Sequence, residues 1–184
     1  EIIGQLDPQT RELIAKAAPL HGIGKVGIPD AILLKPGRLT PEEFLVMKTH
    51  AQIGADALTE AIERVLRDHA DSPDAENSRY ALRFLEIARE IAGGHHEKWD
   101  GSGYPRGLSG VAIPLAARLM ALADVFDALV CKRHYKQAIP IADSIEIIRQ
   151  GRGNHFDPTL VDIFLDQIDA FVAIAERHAD HDTE

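Results

Sequence analysis

Thr40-Pro41-Glu42-Glu43-Phe44-Leu45-Val46-Met47-Lys48-Thr49-His50 opens a helix. Thr40 and Glu43 have the spacing of a capping box, in which each side chain satisfies a backbone N–H at the other's position, and Pro41 presets φ at the first helical residue. The helix expected from this start runs through Phe44, Met47, Gly54 and Leu58 to about Leu66. Met47, His50, Gly54, Ala57 and Ala61 share one face, so a histidine points inward beside small residues that let another group come close.

Upstream, Asp7-Pro8 repeats the cap-then-proline start, and Leu13, Ala17 and Leu20 follow at helical spacing toward His21. Glu1-Ile2-Ile3-Gly4 reads as the tail of a helix that begins earlier, as in a fragment. Downstream, residues 67–78 are polar, contain Pro73 and read as an insertion before a helix over Arg79 to Ala92. A loop rich in Gly and Pro occupies Gly93 to Pro114, and helical spacing returns from Leu115 to Leu129. Two more helices are expected, one near Asp143 and one at Asp157-Pro158 with a stripe of Leu160, Val161, Phe164, Leu165, Ile168 and Phe171. Residues 173–184 read as a frayed polar tail. No stretch alternates at period two, so the fold expected over 1–184 is all-α, a single helical-bundle domain.

With 184 residues and 45% hydrophobic content the chain can bury one sizeable core. A formal charge of −9 excludes a general nucleic-acid or anionic-membrane binder, which carries a basic footprint. No apolar run approaches the roughly 20 residues needed to span a bilayer, and no secretory leader is present, so a cytoplasmic location is expected. The single cysteine, Cys131, excludes an internal disulfide and paired-cysteine zinc sites. Any metal must therefore use His and carboxylate, and nine histidines supply them.

Ala88 and Ala92 lead along one face to His95-His96, and Asp124 shares a face with Met120, Ala128 and Cys131, an acid among mostly apolar neighbours. Burying an acid is costly unless it is paired or bound to metal. His21, His50, His95, His96 and Asp124 thus form one candidate cluster of the donor type that binds Fe, Mn, Zn or Ni. Taken singly, each also suits a helix-capping His or a salt-bridged Asp.

Leu20-His21-Gly22-Ile23-Gly24-Lys25, Lys48-Thr49-His50, His95-His96-Glu97-Lys98-Trp99-Asp100-Gly101-Ser102-Gly103-Tyr104-Pro105 and Ala123-Asp124-Val125-Phe126-Asp127-Ala128-Leu129 resemble, in order, the motifs of the HD-GYP family. That family is a helical branch of the HD phosphohydrolases, hydrolyses cyclic di-GMP and often forms the output domain of bacterial response regulators. The resemblance covers roughly Ala15 to Leu165, and Gly151 to Pro158 looks like the segment before the family's last core helix. It implies that His21, His50, His95, His96 and Asp124 ligate two or more transition-metal ions, that Lys25 lies near the scissile phosphate, and that Tyr104, Arg133 and Lys136 hold the dinucleotide. It further implies that Gly103 and Pro105 shape a loop for a signalling partner, that a receiver domain lies upstream, and that the domain can form a homodimer. Two ions about 3.5–4 Å apart activate water and neutralise the charge growing on phosphoryl oxygens.

The chain departs from the family at one decisive place. The namesake His-Asp pair is His21-Gly22 here, and glycine ligates nothing. The family's first metal-binding His would lie before Glu1. The same change makes Gly22-Ile23-Gly24-Lys25-Val26-Gly27 match a dinucleotide fingerprint, but that pattern needs a strand before it and a helix after, whereas here a helix precedes and Pro29 follows. The leading expectation is a metal-dependent cyclic di-GMP phosphodiesterase impaired by Gly22. The alternative is an inactive module that binds cyclic di-GMP or a partner protein. A structural dimerisation unit would not need His50, His95, His96 and Asp124 arranged together.

Overall fold

The structure, a computed structural model, describes residues 6–68, 75–131 and 139–179. Helices α1 (Pro8–Ala17), α2 (Asp30–Leu33), α3 (Pro41–Lys48), α4 (His50–Asp68), α5 (Ala75–Gly94), α6 (Leu115–Val130), α7 (Ile141–Gln150), α8 (Pro158–Asp166) and α9 (Ile168–Ala179) are joined by loops and by two 3-10 segments, Ala18–Gly27 and Gly110–Ala112. There is no strand among the described residues, only an isolated bridge between Arg152 and Phe156. None of the helices so described is long and apolar enough to cross a membrane. The chain divides into two compact units, residues 1–96 and 97–184.

In the first unit the caps form as the sequence expects. Asp7 Oδ1 accepts from the backbone of Gln9 and Thr10 at 2.9 and 3.0 Å. Thr40 Oγ1 accepts from Glu43 N at 3.2 Å while Glu43 Oε2 accepts from Thr40 N at 2.7 Å. The helix that starts there is shorter than expected. Thr49 N and the Thr49 hydroxyl both donate to the Val46 carbonyl, which tightens the last turn of α3, and α4 begins one residue later at His50. The break lets α4 bury His50, Ala51, Gly54, Leu58 and Ile62, while α3 buries nothing. Leu13 and Ala17 from α1 and Ile87, Ala88, Ile91 and Ala92 from α5 complete this core. α5 starts at Ala75, earlier than the expected Arg79, and residues 69–74 of the polar insertion lie outside the described residues.

The 3-10 segment Ala18–Gly27 lies directly on α4. A β-carbon at Gly24 would fall onto the His50 carbonyl oxygen and 2.5 Å from Gly54 N, so backbone meets backbone there. A strand-glycine-helix nucleotide fold is absent from this place, and Gly24 of the apparent fingerprint serves close packing instead.

The second unit packs α6, α8 and α9 through Phe126, Phe164 and Phe171, whose ring centroids lie 4.7 to 6.1 Å apart. The expected single stripe from Leu160 to Phe171 is split at Gln167, which caps α8 before α9 starts. α9 continues to Ala179, so the stretch from residue 173 opens as helix rather than as a frayed end, with Ile174 and Ala175 lining an apolar hollow beside Phe126 and Phe171. Residues 180–184 lie outside the described residues. Asp157 caps α8 through Thr159 N at 2.8 Å, and its other oxygen accepts from Arg118 Nη1 at 2.6 Å, with side chains only 10% and 2% exposed. Removing one partner of a buried pair strands the other charge, which costs about 3–5 kcal/mol. Asp157→Ala therefore lowers stability by about that much in urea unfolding, and a loss under about 1 kcal/mol would show that solvent reaches Arg118.

Candidate metal centre

His50 ends the α3–α4 turn, and His95-His96 follow the last turn of α5. Their three ligand-capable atoms lie within 4.8 Å of one another. His50 and His95 are 2% and 3% exposed. Each orients its ring by donating from Nδ1 to a backbone carbonyl: His50 to Met47 at 2.7 Å, and His95 to Ile91 at 2.9 Å. His21, in the 3-10 segment, does the same to Ala18 at 2.9 Å. A carbonyl only accepts, so in the neutral ring the proton sits on Nδ1 and Nε2 presents its lone pair, the tautomer a metal requires.

The rings are packed against one another. His95 lies 4.0 Å from His96, 5.3 Å from His21 and 5.6 Å from His50, and His50 lies 5.0 Å from His96, centroid to centroid. The Nε2 atoms of His50 and His95 are buried and make no hydrogen bond. Burial first, then the neighbouring His95, His50, Lys25 and His21, pushes His96 down to about 2, so its imidazole is neutral at ordinary pH. Convergent imidazoles, two of them buried, fit a borderline divalent ion.

Gly22 adjoins this cluster in the sequence and has no positive φ. The atoms nearest to a β-carbon there would be those of Lys25, at 3.6 Å for Cδ and Nζ and 3.7 Å for Cε, which is ordinary contact. The left-handed backbone that would have strained a side chain at this position is not present. Lys25 is exposed and lies close enough to act electrostatically on His96.

In the second unit, Asp124 lies half-buried on α6. Tyr104 is pushed up to about 12, mainly by burial and then by the Asp124 carboxylate, so the structure brings these two together and keeps the phenol neutral. The loop that carries Tyr104 is closely held. Asp100 Oδ1 accepts from Ser102 N at 2.8 Å, Trp99 N donates to His155 O at 3.1 Å and Asp100 N to Asn154 O at 2.8 Å. The Tyr104–Pro105 peptide is cis. Gly103 is obligatory, because a β-carbon there would lie on Lys98 N and 2.5 Å from Glu97 Cα. The Gly151–Pro158 segment thus braces the base of this loop through His155 and Asn154. Arg133 and Lys136 lie outside the described residues.

Two residues that shape the second unit, Glu97 and Arg118, do not stand out in the sequence motifs. Glu97 is 1% exposed and accepts two loop N–H groups, and Arg118 pairs with Asp157. The only sequence signal for this arrangement was Asp157 as a helix cap; Glu97 stands inside a motif whose histidines draw the attention.

Fold and site together define a helical protein with a histidine cluster of the kind that can hold a metal ion. A family profile for the HD domain matches residues 3–160. The chain is 54% identical over 175 residues to a cyclic di-GMP phosphodiesterase of Vibrio cholerae, covering 95% of this chain and 33% of that protein. It is 42% identical over 163 residues to a 3'3'-cGAMP-specific phosphodiesterase 2 of the same organism, covering 89% and 28%. It is 44% identical over 165 residues to a cyclic di-GMP phosphodiesterase response regulator of Xanthomonas campestris pv. campestris, covering 90% and 38%. The chain therefore spans well under two thirds of the length of these relatives. It belongs to the HD domain family and, within it, to the HD-GYP branch.

Proposed function

We propose that this chain is a metal-dependent phosphodiesterase domain that opens cyclic di-GMP, with activity reduced by Gly22. The observation that carries the reading is the convergence of His50, His95 and His96, with the rings of His50 and His95 oriented by backbone carbonyls. The relatives named for cyclic di-GMP hydrolysis support the substrate class.

His50, His95 and His96 would hold one divalent ion of Fe, Mn, Zn or Ni, with His21 and Asp124 as further ligands. Such an ion supplies Lewis acidity toward a phosphoryl oxygen and lowers the pKa of water. The protein's own groups do the rest. Lys25 brings an ammonium to the phosphate and offsets charge that grows on its equatorial oxygens. Tyr104, kept as a neutral phenol, offers a ring for stacking and a hydroxyl for donation, and Arg133 and Lys136 contribute phosphate contacts. Hydrolysis adds the oxygen of water to phosphorus, breaks the bond from phosphorus to the ribose 3′ oxygen, and returns a proton to that oxygen. An upstream receiver domain, a partner at the Gly103-Tyr104-Pro105 loop, a homodimer and a cytoplasmic setting belong to the same reading.

Gly22 specifically favours a second reading, a module that binds the nucleotide and does no chemistry, because the bridging carboxylate is the ligand it lacks. Elemental analysis beside a hydrolysis assay on cyclic di-GMP and on 3'3'-cGAMP separates the two. The expected result is fewer than two ions per chain, slow opening of cyclic di-GMP, and loss of both in His95→Ala, with ligand removal costing on the order of 100-fold or more in metal affinity. Nucleotide binding with no product at full metal loading would establish the second reading instead.

A further inference from the structure

We propose that Glu97 is the positioning residue of the Tyr104 loop, and that its buried carboxylate sets how tightly the domain holds a cyclic dinucleotide; the second half rests on the nucleotide reading above. Glu97 Oε1 accepts from Arg106 N at 2.8 Å and Oε2 from Leu108 N at 3.0 Å, bonds that flank Gly107 with its φ of +67°. On the other side of Tyr104, Gly103 packs its backbone against Glu97 and Lys98 so closely that no side chain fits. Residues 103 and 106–108 are thus clamped onto one residue, and Tyr104-Pro105 is the span between the clamps.

A carboxylate at 1% exposure is expensive unless it is well bonded, and an apolar residue of the same volume would leave two loop N–H groups unsatisfied. Both oxygens are committed to the loop, and the three-residue cluster that can hold a metal does not include Glu97. One peptide bond separates it from His96. The residue that fixes Tyr104 is therefore the next in the chain after the proposed ligand pair, and it acts through the loop rather than on an ion.

Trp99 is the only tryptophan, lies two residues from Glu97 inside this loop, and so reports on the loop by its fluorescence. In Glu97→Ala, acrylamide quenching of Trp99 should rise, the Kd for cyclic di-GMP should rise roughly tenfold because the loop must be ordered at each binding event, and metal content should stay that of the unaltered chain. Glu97→Gln keeps the size but offers one acceptor oxygen, so it should fall between the two. If Glu97→Ala fails to fold, Glu97→Gln decides. An unchanged Kd and unchanged quenching in the folded variant overturn the proposal, as does a loss of metal equal to that of His95→Ala. If the unaltered chain binds no cyclic di-GMP, the functional reading fails, and Trp99 quenching alone decides whether Glu97 positions the loop.

Discussion

Gly22→Asp raises the metal content of the chain from about one divalent ion toward two and speeds the opening of cyclic di-GMP by on the order of 100-fold. A carboxylate between two ions fixes their separation and hence the placement of the attacking water, and errors of about 1 Å cost roughly that factor. Space and backbone both permit the change: Gly22 has no positive φ, and the nearest atoms to the new β-carbon, those of the Lys25 side chain, lie at ordinary contact distance. The Lys25 ammonium, 3.6 Å from that position, also favours an ionised carboxylate there. Elemental analysis, single-turnover hydrolysis and thermal unfolding check metal, chemistry and fold separately. A folded variant with two ions that still leaves cyclic di-GMP intact would mean that Gly22 is not the sole defect, and the binding-module reading would replace the enzyme.

Gly24→Ala destabilises the first unit by more than about 3 kcal/mol and removes bound metal with it. Its β-carbon would land on the His50 carbonyl and against Gly54 N, and neither is a side chain that can swing away. The 3-10 segment would have to lift off α4, separating His21 and Lys25 from the element that carries His50. Gly54→Ala is the control. Its β-carbon meets Gly24 N and Ile23 Cγ2 at 3.2 Å and Ala92 Cβ at 3.3 Å, shortfalls of a few tenths of an ångström, and alanine regains about 1 kcal/mol of helix propensity. Urea unfolding and metal content should place Gly24→Ala far below Gly54→Ala; equal stability would show that the segment slides without cost.

By itself, the sequence determined the helical class and three helix starts, and it displayed the histidines that the fold gathers into a cluster. Asp7, Thr40 and Asp157 were legible because a cap bonds an N–H two or three residues on, a distance the sequence displays directly. His50, His95 and His96 were legible as metal-type donors on inward faces, though their convergence is a fact of packing. Only the tertiary structure decided the roles of Gly24, Glu97 and Arg118. Gly24 is required by the backbone of α4, Glu97 answers N–H groups 9 and 11 residues away, and Arg118 meets Asp157 across 39 residues. Local pattern reads which groups a residue offers, whereas close approach and buried charge depend on what the folded chain brings to meet them.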